Sequence, residues 1–210
     1  MSQFITIAGP QSSGKTTAIN FLKNKYPDWF YLEEVNPYTV ISKNHPGAAY
    51  TSKDLQINLI DIELTKLRAI ESRYESVSIV ELGIFRLIYS EYFYHKKLSE
   101  QFLPDYMKLY HDLNPYIILI DTKPEVSFQR RKEKYIERIH NQGIKDKKQF
   151  DITLRKYQDT IFHLYPYWLR YYDKLNFPKK LIKNSYISEG EFLIEINKTV
   201  KSIISGNFPQ

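Results

Sequence analysis

Eight residues near the start of the chain, Gly9-Pro10-Gln11-Ser12-Ser13-Gly14-Lys15-Thr16, constrain the fold more than any other feature. They satisfy the pattern Gly-x4-Gly-Lys-Thr, and the apolar run Phe4–Ala8 leads directly into them. A loop of this kind requires a strand before it and a helix after it. Gly9 and Gly14 permit backbone angles and close approaches that other residues resist. Successive N–H groups, with the N-terminus of the following helix, can then surround a β-phosphate. Lys15 is placed to bridge β- and γ-phosphate oxygens, and the Thr16 hydroxyl to ligate Mg²⁺. Roughly one arbitrary chain of this length in a hundred would match the pattern by accident, and the strand–helix context lowers that further. The residues expected to hold a nucleotide, ATP with its Mg²⁺, are therefore Gly9, Gln11, Ser12, Ser13, Gly14, Lys15, Thr16 and Thr17.

The rest of the chain alternates between strand-like and helix-like segments. A helix is expected from Lys15 to about Lys25, stopped by Pro27. Trp29–Glu33 reads as a second strand, with Asn36-Pro37 marking the loop after it. Thr51 and Asp54 resemble a capping box, and Ile57, Ile60, Leu64 and Leu67 then recur at the period of one buried helical face. Val77–Leu82 is the expected third strand, Ile84–Lys96 and Ser99–Leu113 the next helices, and Tyr116–Asp121 the fourth strand. Thr122-Lys123-Pro124-Glu125 reads as a second capping box that opens a helix running into Arg130–Arg138. Gly143 falls in a polar loop, Asp151–Tyr172 reads as helix, Lys180–Asn184 as a fifth strand and Glu189–Ile204 as a closing helix. This alternation predicts a three-layer α/β fold, a parallel sheet covered by helices on both faces. No repeat, low-complexity block or Pro/Gly linker divides it, so residues 1–210 are expected to form a single domain.

Composition narrows the setting. The chain has 210 residues, 42% hydrophobic and 26% charged, the usage of a globular protein with a substantial core. The absence of cysteine excludes disulfides, thiolate metal sites and cysteine nucleophiles. Apolar runs such as Tyr116–Ile120 are too short to span a bilayer, and no secretory signal pattern is visible near Met1. The cytoplasm is the expected location. A net charge of +6 is compatible with a polyanion partner. The lysines are spread along the chain, however, and nucleic acid is not the expected partner. His45, His95, His111, His140 and His163 have no metal-ligand spacing.

The loop alone does not separate GTPases, ATPases and small-molecule kinases. A guanine-reading Asn-Lys-x-Asp and a switch Asp-x-x-Gly occur nowhere in the chain, and there is no room for the extra subdomains of a motor ATPase. A compact kinase remains. The order of motifs resembles the deoxyribonucleoside kinase family, with thymidylate kinases as close relatives. Glu33-Glu34-Val35-Asn36-Pro37-Tyr38 is similar to that family's acidic segment after the second strand. Ile79-Val80-Glu81 resembles its strand ending in a carboxylate. Ile120-Asp121-Thr122-Lys123-Pro124-Glu125-Val126, followed by Arg130 and Arg131, resembles the fourth strand and the start of a basic lid. The likeness covers most of the chain, but only the phosphate loop is specific in its own right.

The resemblance implies a P-loop kinase fold with strand order 2-3-1-4-5 and a lid at about residues 130–150. It also implies an ATP-dependent transfer of phosphate to a deoxynucleoside or nucleoside monophosphate. Phosphoryl transfer needs a base for the attacking hydroxyl and cations for the phosphate charge. By the likeness, Glu33 is the base, with Glu34 the alternative, and Glu81 holds Mg²⁺ opposite Thr16. Lys15, Arg130 and Arg131 serve the transferring phosphate, aided by Lys134 or Arg138, and Gln56 and Tyr50 belong to the acceptor side. A homodimer through the long helices is expected on likeness alone. One departure stands out. The family follows its third-strand carboxylate with arginine, whereas here Glu81 is followed by Leu82-Gly83, leaving Arg86 to reach back. The lid also lacks the family's Arg-Gly-Arg. Two alternatives stay open on these grounds: a kinase of another small-molecule alcohol, and an ATP-binding regulatory module. Plainer readings also exist for Gln56, as a polar surface residue, and for Arg130–Arg138, as a solvated helical face partnered by Glu133 and Glu137.

Overall fold

The computed structural model describes residues 3–34, 52–71, 77–94 and 96–207. Five strands form one parallel sheet: β1 Gln3–Ala8, β2 Phe30–Leu32, β3 Val77–Glu81, β4 Tyr116–Asp121 and β5 Lys179–Lys183. Their order is β2-β3-β1-β4-β5, the expected 2-3-1-4-5. Every pairing is parallel, with Ile5 opposite Ile79 on one side of β1 and Tyr116 on the other. The helices are α1 Lys15–Lys25, α2 Lys53–Glu71, α3 Leu87–Tyr94, α4 Lys96–Leu113, α5 Pro124–Asn141, α6 Lys147–Lys174 and α7 Glu189–Ile204.

Strand periodicity divides the core into two layers. Ile5, Ile7, Ile79, Ile118 and Ile120 face α1 and α7, where they meet Ala18, Leu22, Phe192, Ile196 and Val200. Their alternating neighbours Phe4, Ala8, Val80, Ile117 and Leu119 face the opposite layer and pack with Leu64 and Leu67 of α2, Tyr106 of α4 and Trp168 of α6. A central strand buried on both faces must be apolar at nearly every position, which explains the runs Ile5–Ala8 and Ile117–Ile120. Each fully buried Ile or Leu contributes about 1.5–3 kcal/mol by the surface it removes from water. A smaller cluster of Tyr135, Ile139, Tyr157 and Ile161 joins α5 to α6.

Several boundaries differ from the sequence expectation for identifiable reasons. Helix α6 begins at Lys147 rather than Asp151 because the Asp146 carboxylate caps it, accepting from the Gln149 N–H at 2.8 Å. The expected capping box at Thr122 does not form. Lys123 is the N-cap residue of α5 without a side-chain bond, and the Thr122 hydroxyl instead faces the carbonyls of Ser13 and Asn184. Thr51 lies outside the described residues, and Ser52 caps α2 by accepting from the Leu55 N–H at 3.3 Å. The segment expected to be one helix from Ile84 is a 3₁₀ turn, Gly83–Arg86, followed by α3.

That turn explains why Leu82-Gly83 follows the third strand. Leu82 and Gly83 both have positive φ, 75° and 53°, so the chain folds back sharply after Glu81. The Tyr110 hydroxyl then sits beneath the turn, accepting from the Ile84 N–H at 3.0 Å and sharing a 3.0 Å bond with Thr6. A Cβ at Gly83 would fall well inside contact distance of that hydroxyl. Gly83→Ala is therefore expected to cost about 2–4 kcal/mol through strain and overpacking. Thermal denaturation checks this, and a melting temperature within about a degree of the wild-type value would contradict it.

Candidate active site

The strand order places the carboxyl ends of β1 and β3 side by side, and the polypeptide leaves each by a tight turn. After β1 the chain forms the phosphate loop. Gly9 passes so close to β4 that a Cβ there would lie 2.5 Å from the Ile120 carbonyl oxygen. Ser12 has φ 56° and Gly14 has φ 99°, left-handed conformations that curl the backbone into a concave nest. Helix α1 starts at Lys15, so its first-turn N–H groups have no intrahelical acceptor and face the nest. Thr16 is exposed in that turn, with Thr17 beside it. Lys15 is buried, and its ammonium donates to the carbonyls of Gly9 at 2.8 Å and Pro10 at 3.0 Å. An ammonium has three N–H donors, so one remains for a phosphate oxygen. Burial lowers the Lys15 proton affinity, while the Glu34 and Glu81 carboxylates pull it back up.

Opposite the loop is a cluster of buried charge. Glu81, at the end of β3, accepts a 3.2 Å bond from the Glu34 N–H. Burial raises its proton affinity, which Lys15 opposes. A hard oxygen pair, the Glu81 carboxylate and the Thr16 hydroxyl, matches what Mg²⁺ prefers, and a cation would offset the burial of Glu81. Arg86, at the end of the 3₁₀ turn, is only 1% exposed and bonds two carboxylates: Glu63 of α2 through Nε, and Glu34 at 3.2 Å. Arg86 thus reaches back from the turn after β3 to the Glu34 and Glu63 carboxylates. Glu33 points elsewhere: it is exposed and ion-paired with Lys23 of α1. The two adjacent glutamates are therefore separated, Glu34 toward Lys15 and Arg86, Glu33 toward solvent.

Gln56 is buried rather than a surface residue, 1% exposed, two helical turns before Glu63 on the same side of α2. Tyr50 and the segment Val35–Tyr38 lie outside the described residues. On α5, Arg130 is exposed and its guanidinium approaches the Ser12 carbonyl at 3.5 Å. Arg131 turns inward over the Tyr135 ring. Its charge depresses the Lys15 proton affinity, and its Nε is buried with no hydrogen-bond partner among the described residues. Sequence reasoning missed Glu63, Ser127 and Asn184. Glu63 had a signal: it interrupts the stripe Gln56, Ile60, Glu63, Leu67, Ile70, where spacings of four and three alternate.

The Glu63 carboxyl is buried among Arg86, Glu34, Lys66 and Tyr106, and burial outweighs the guanidinium to hold its pKa up at about 7 against an ordinary 4.5. A carboxyl that binds its proton more tightly folded than unfolded favours the native state at acidic pH. That contribution fades as pH rises through about 7. The melting temperature of the wild type is therefore expected to fall relative to Glu63→Gln between about pH 5 and about pH 8. Parallel profiles for the two proteins would contradict this.

Comparison with known proteins bears on the family and the fold. The deoxynucleoside kinase family model matches residues 5–205, nearly the whole chain. No curated protein matches it in sequence. Among solved structures, deoxyadenosine kinase from M. mycoides with dCMP and dCDP is similar at 14% identity, TM-score 0.58, over 95% of this chain and 100% of that one. The same enzyme with bound dATP is similar at 15% identity, TM-score 0.58, over 94% and 99%. YorR from Bacillus subtilis, in complex with phosphorylated GDP, is similar at 13% identity, TM-score 0.54, over 97% and 98%. The structural likeness carries the fold and the family model carries the kinship: this chain belongs to the deoxynucleoside kinase family of phosphotransferases.

Proposed function

We propose that the chain transfers the γ-phosphate of ATP, as its Mg²⁺ complex, to the 5′-hydroxyl of a deoxynucleoside, with Glu34 as the base. The observation that supports this reading most directly is the position of Glu34. Its side chain bonds Arg86, its N–H bonds Glu81, and its charge acts on Lys15, so one residue faces both the donor loop and the buried acceptor-side cluster. In this reading the Glu34 carboxylate takes the hydroxyl proton as the oxygen attacks the γ-phosphorus. The bond from that phosphorus to the β–γ bridging oxygen breaks, and ADP leaves. Lys15 and the loop N–H groups hold the growing charge on the β-phosphate side, where fixed donors act most strongly in a site shielded from water. Arg131, with Arg130 on the rim, clamps the transferring phosphate from α5. Thr16 and Glu81 would hold Mg²⁺, which supplies charge neutralisation between the phosphates.

Gln56 is proposed on the acceptor side because it is buried on the same face of α2 as Glu63. Residues 130–150, which run from the middle of α5 into the start of α6, are proposed as the lid, and the whole chain as one kinase domain. No helix among the described residues is long and apolar enough to cross a membrane, and the cytoplasm, which holds ATP, is the proposed setting. The long helices α2 and α4 pack together and leave Ile62 and Leu103 exposed, so they are the proposed contact of a homodimer. The other two functions, a kinase of a different alcohol and a regulatory module, gain no support from the family match.

Deoxyadenosine and deoxycytidine are the first acceptors to test, given the nucleotides held by the M. mycoides enzyme. Glu34→Gln is expected to lower kcat by about 10²–10⁴ with the fold intact, and Lys15→Ala by about 10² or more. Glu33→Gln should stay within about threefold of wild type, the range of a surface ion pair. Steady-state phosphate transfer from ATP checks all three, and a Glu33 variant more damaged than the Glu34 variant would reverse the assignment.

A further inference from the structure

The phosphate loop is gripped from behind. Three consecutive carbonyl oxygens, those of Gln11, Ser12 and Ser13, each accept a hydrogen bond from an element outside the loop. The Ser127 hydroxyl of α5 donates to Gln11 O, the Arg130 guanidinium to Ser12 O at 3.5 Å, and the Asn184 amide to Ser13 O at 2.7 Å. The Thr122 hydroxyl lies 3.5 Å from the same Ser13 oxygen and 3.4 Å from Asn184 O. Thr122, Ser127 and Asn184 are all buried, with Asn184 5% exposed. Buried polar side chains of this kind are held for their hydrogen bonds, since an unmet bond there is costly.

In a trans peptide the carbonyl and the following N–H point in opposite directions. Fixing Gln11 O outward therefore turns the Ser12 N–H inward, and fixing Ser13 O outward turns the Gly14 N–H inward. The Ser13 N–H is already used within the loop, donating to Pro10 O at 3.2 Å. Ser12 also holds φ 56°, a conformation a serine adopts only when its surroundings enforce it. Gly14 contributes space as well as φ: a Cβ there would stand 2.8 Å from Asn184 Nδ2, so the glycine admits the amide. Asn184 is in turn fixed by its own N–H, which donates to Asp121 O at 2.8 Å and continues the β4–β5 ladder.

We infer that Asn184 and Ser127 are positioning residues for donor binding, holding the loop carbonyls outward so that the Ser12 and Gly14 N–H groups converge on the β-phosphate. This rests on the reading of Gly9–Thr16 as the donor site. Because Ser127 sits on α5 with Arg130, and the Tyr135 hydroxyl donates to Gln11 Oε1 at 2.6 Å, the shape of the phosphate nest is tied to the position of the lid helix.

The test measures ADP and inorganic pyrophosphate affinity by titration calorimetry, and KM for ATP and for the acceptor, in four variants. Ser127→Ala removes one hydroxyl at little change in volume, and Ser127→Thr restores it. Asn184→Asp keeps the shape but sets an acceptor against Ser13 O, and Asn184→Ala removes the amide. Ser127→Ala is expected to weaken ADP and pyrophosphate about 5–10-fold, the scale of one buried hydrogen bond. Asn184→Asp should weaken them further, Asn184→Ala should resemble Ser127→Ala, and Ser127→Thr should recover most of the affinity. The acceptor KM should stay unchanged throughout. Wild-type ADP affinity in Ser127→Ala, or equal loss for donor and acceptor, would overturn the inference, and Ser127→Ala decides it even if the Asn184 variants fail to fold. Wild-type protein that binds neither ADP nor pyrophosphate would overturn the donor-site reading itself, and the inference with it.

Discussion

The buried guanidinium of Arg86 is the contact on which the charged cluster opposite the phosphate loop depends. It reaches Glu34 after β2 and Glu63 on α2 from the turn after β3, so three separate elements meet at one planar cation. Taking these charges out of water costs several kcal/mol for each, and only multiple hydrogen bonds in a fixed geometry offset that. A guanidinium suits the task because its fork can serve two carboxylates at once without giving up its proton. Removing Arg86 would leave the buried Glu63 without its ion-pair partner and would free Glu34, whose carboxylate it holds at 3.2 Å.

The two halves are joined by the sheet. Parallel strands deliver their carboxyl ends to one edge, and ligands of open α/β sheets bind in the crevice where strand order reverses. Here β1 lies between β3 and β4, and the chain leaves β1 to form the phosphate loop. The carboxylate of Glu81 therefore stands beside the loop by register alone, since Glu81 pairs with Ile7 two residues before Gly9. The same edge receives Asp121 and Asn184 from β4 and the end of β5. Asp121 accepts from the Tyr165 hydroxyl at 2.8 Å, which secures α6 to the sheet near the site.

Much of this architecture was legible in the residues. The two-sided apolar character of Ile5–Ala8 and Ile117–Ile120 made the parallel sheet evident, and β4 and α7 have the bounds expected of them. The phosphate loop was recognisable because Gly9–Thr16 matches Gly-x4-Gly-Lys-Thr between an apolar strand and a helix. What was not legible turned on orientation. Glu33 and Glu34 are adjacent and chemically identical, so only the register of β2 and the pull of Lys23 and Arg86 separate them. Thr122 looked like a helix cap, yet its hydroxyl serves the loop because Ser13 comes to it from 109 residues away in sequence. Asn184 and Ser127 carried no local signal at all. Their partners are loop carbonyls more than a hundred residues distant, a relation that only the folded sheet creates. Leu82-Gly83 was visible as a departure from the family, but the Tyr110 hydroxyl that accepts the Ile84 N–H beneath the turn was not.

In the proposed reaction Glu34, held by Arg86, faces the acceptor's hydroxyl across from the phosphate loop. The most direct measurement is a crystal structure of the chain with ADP, Mg²⁺ and a deoxynucleoside bound together. The 5′-oxygen is expected within hydrogen-bond distance of the Glu34 carboxylate, roughly 2.6–3.2 Å, with Arg86 still bridging to Glu63 and ADP phosphate on the N–H groups of the loop. A deoxynucleoside whose 5′-oxygen lies against Glu33, or in a place that Glu34 does not reach, would contradict it.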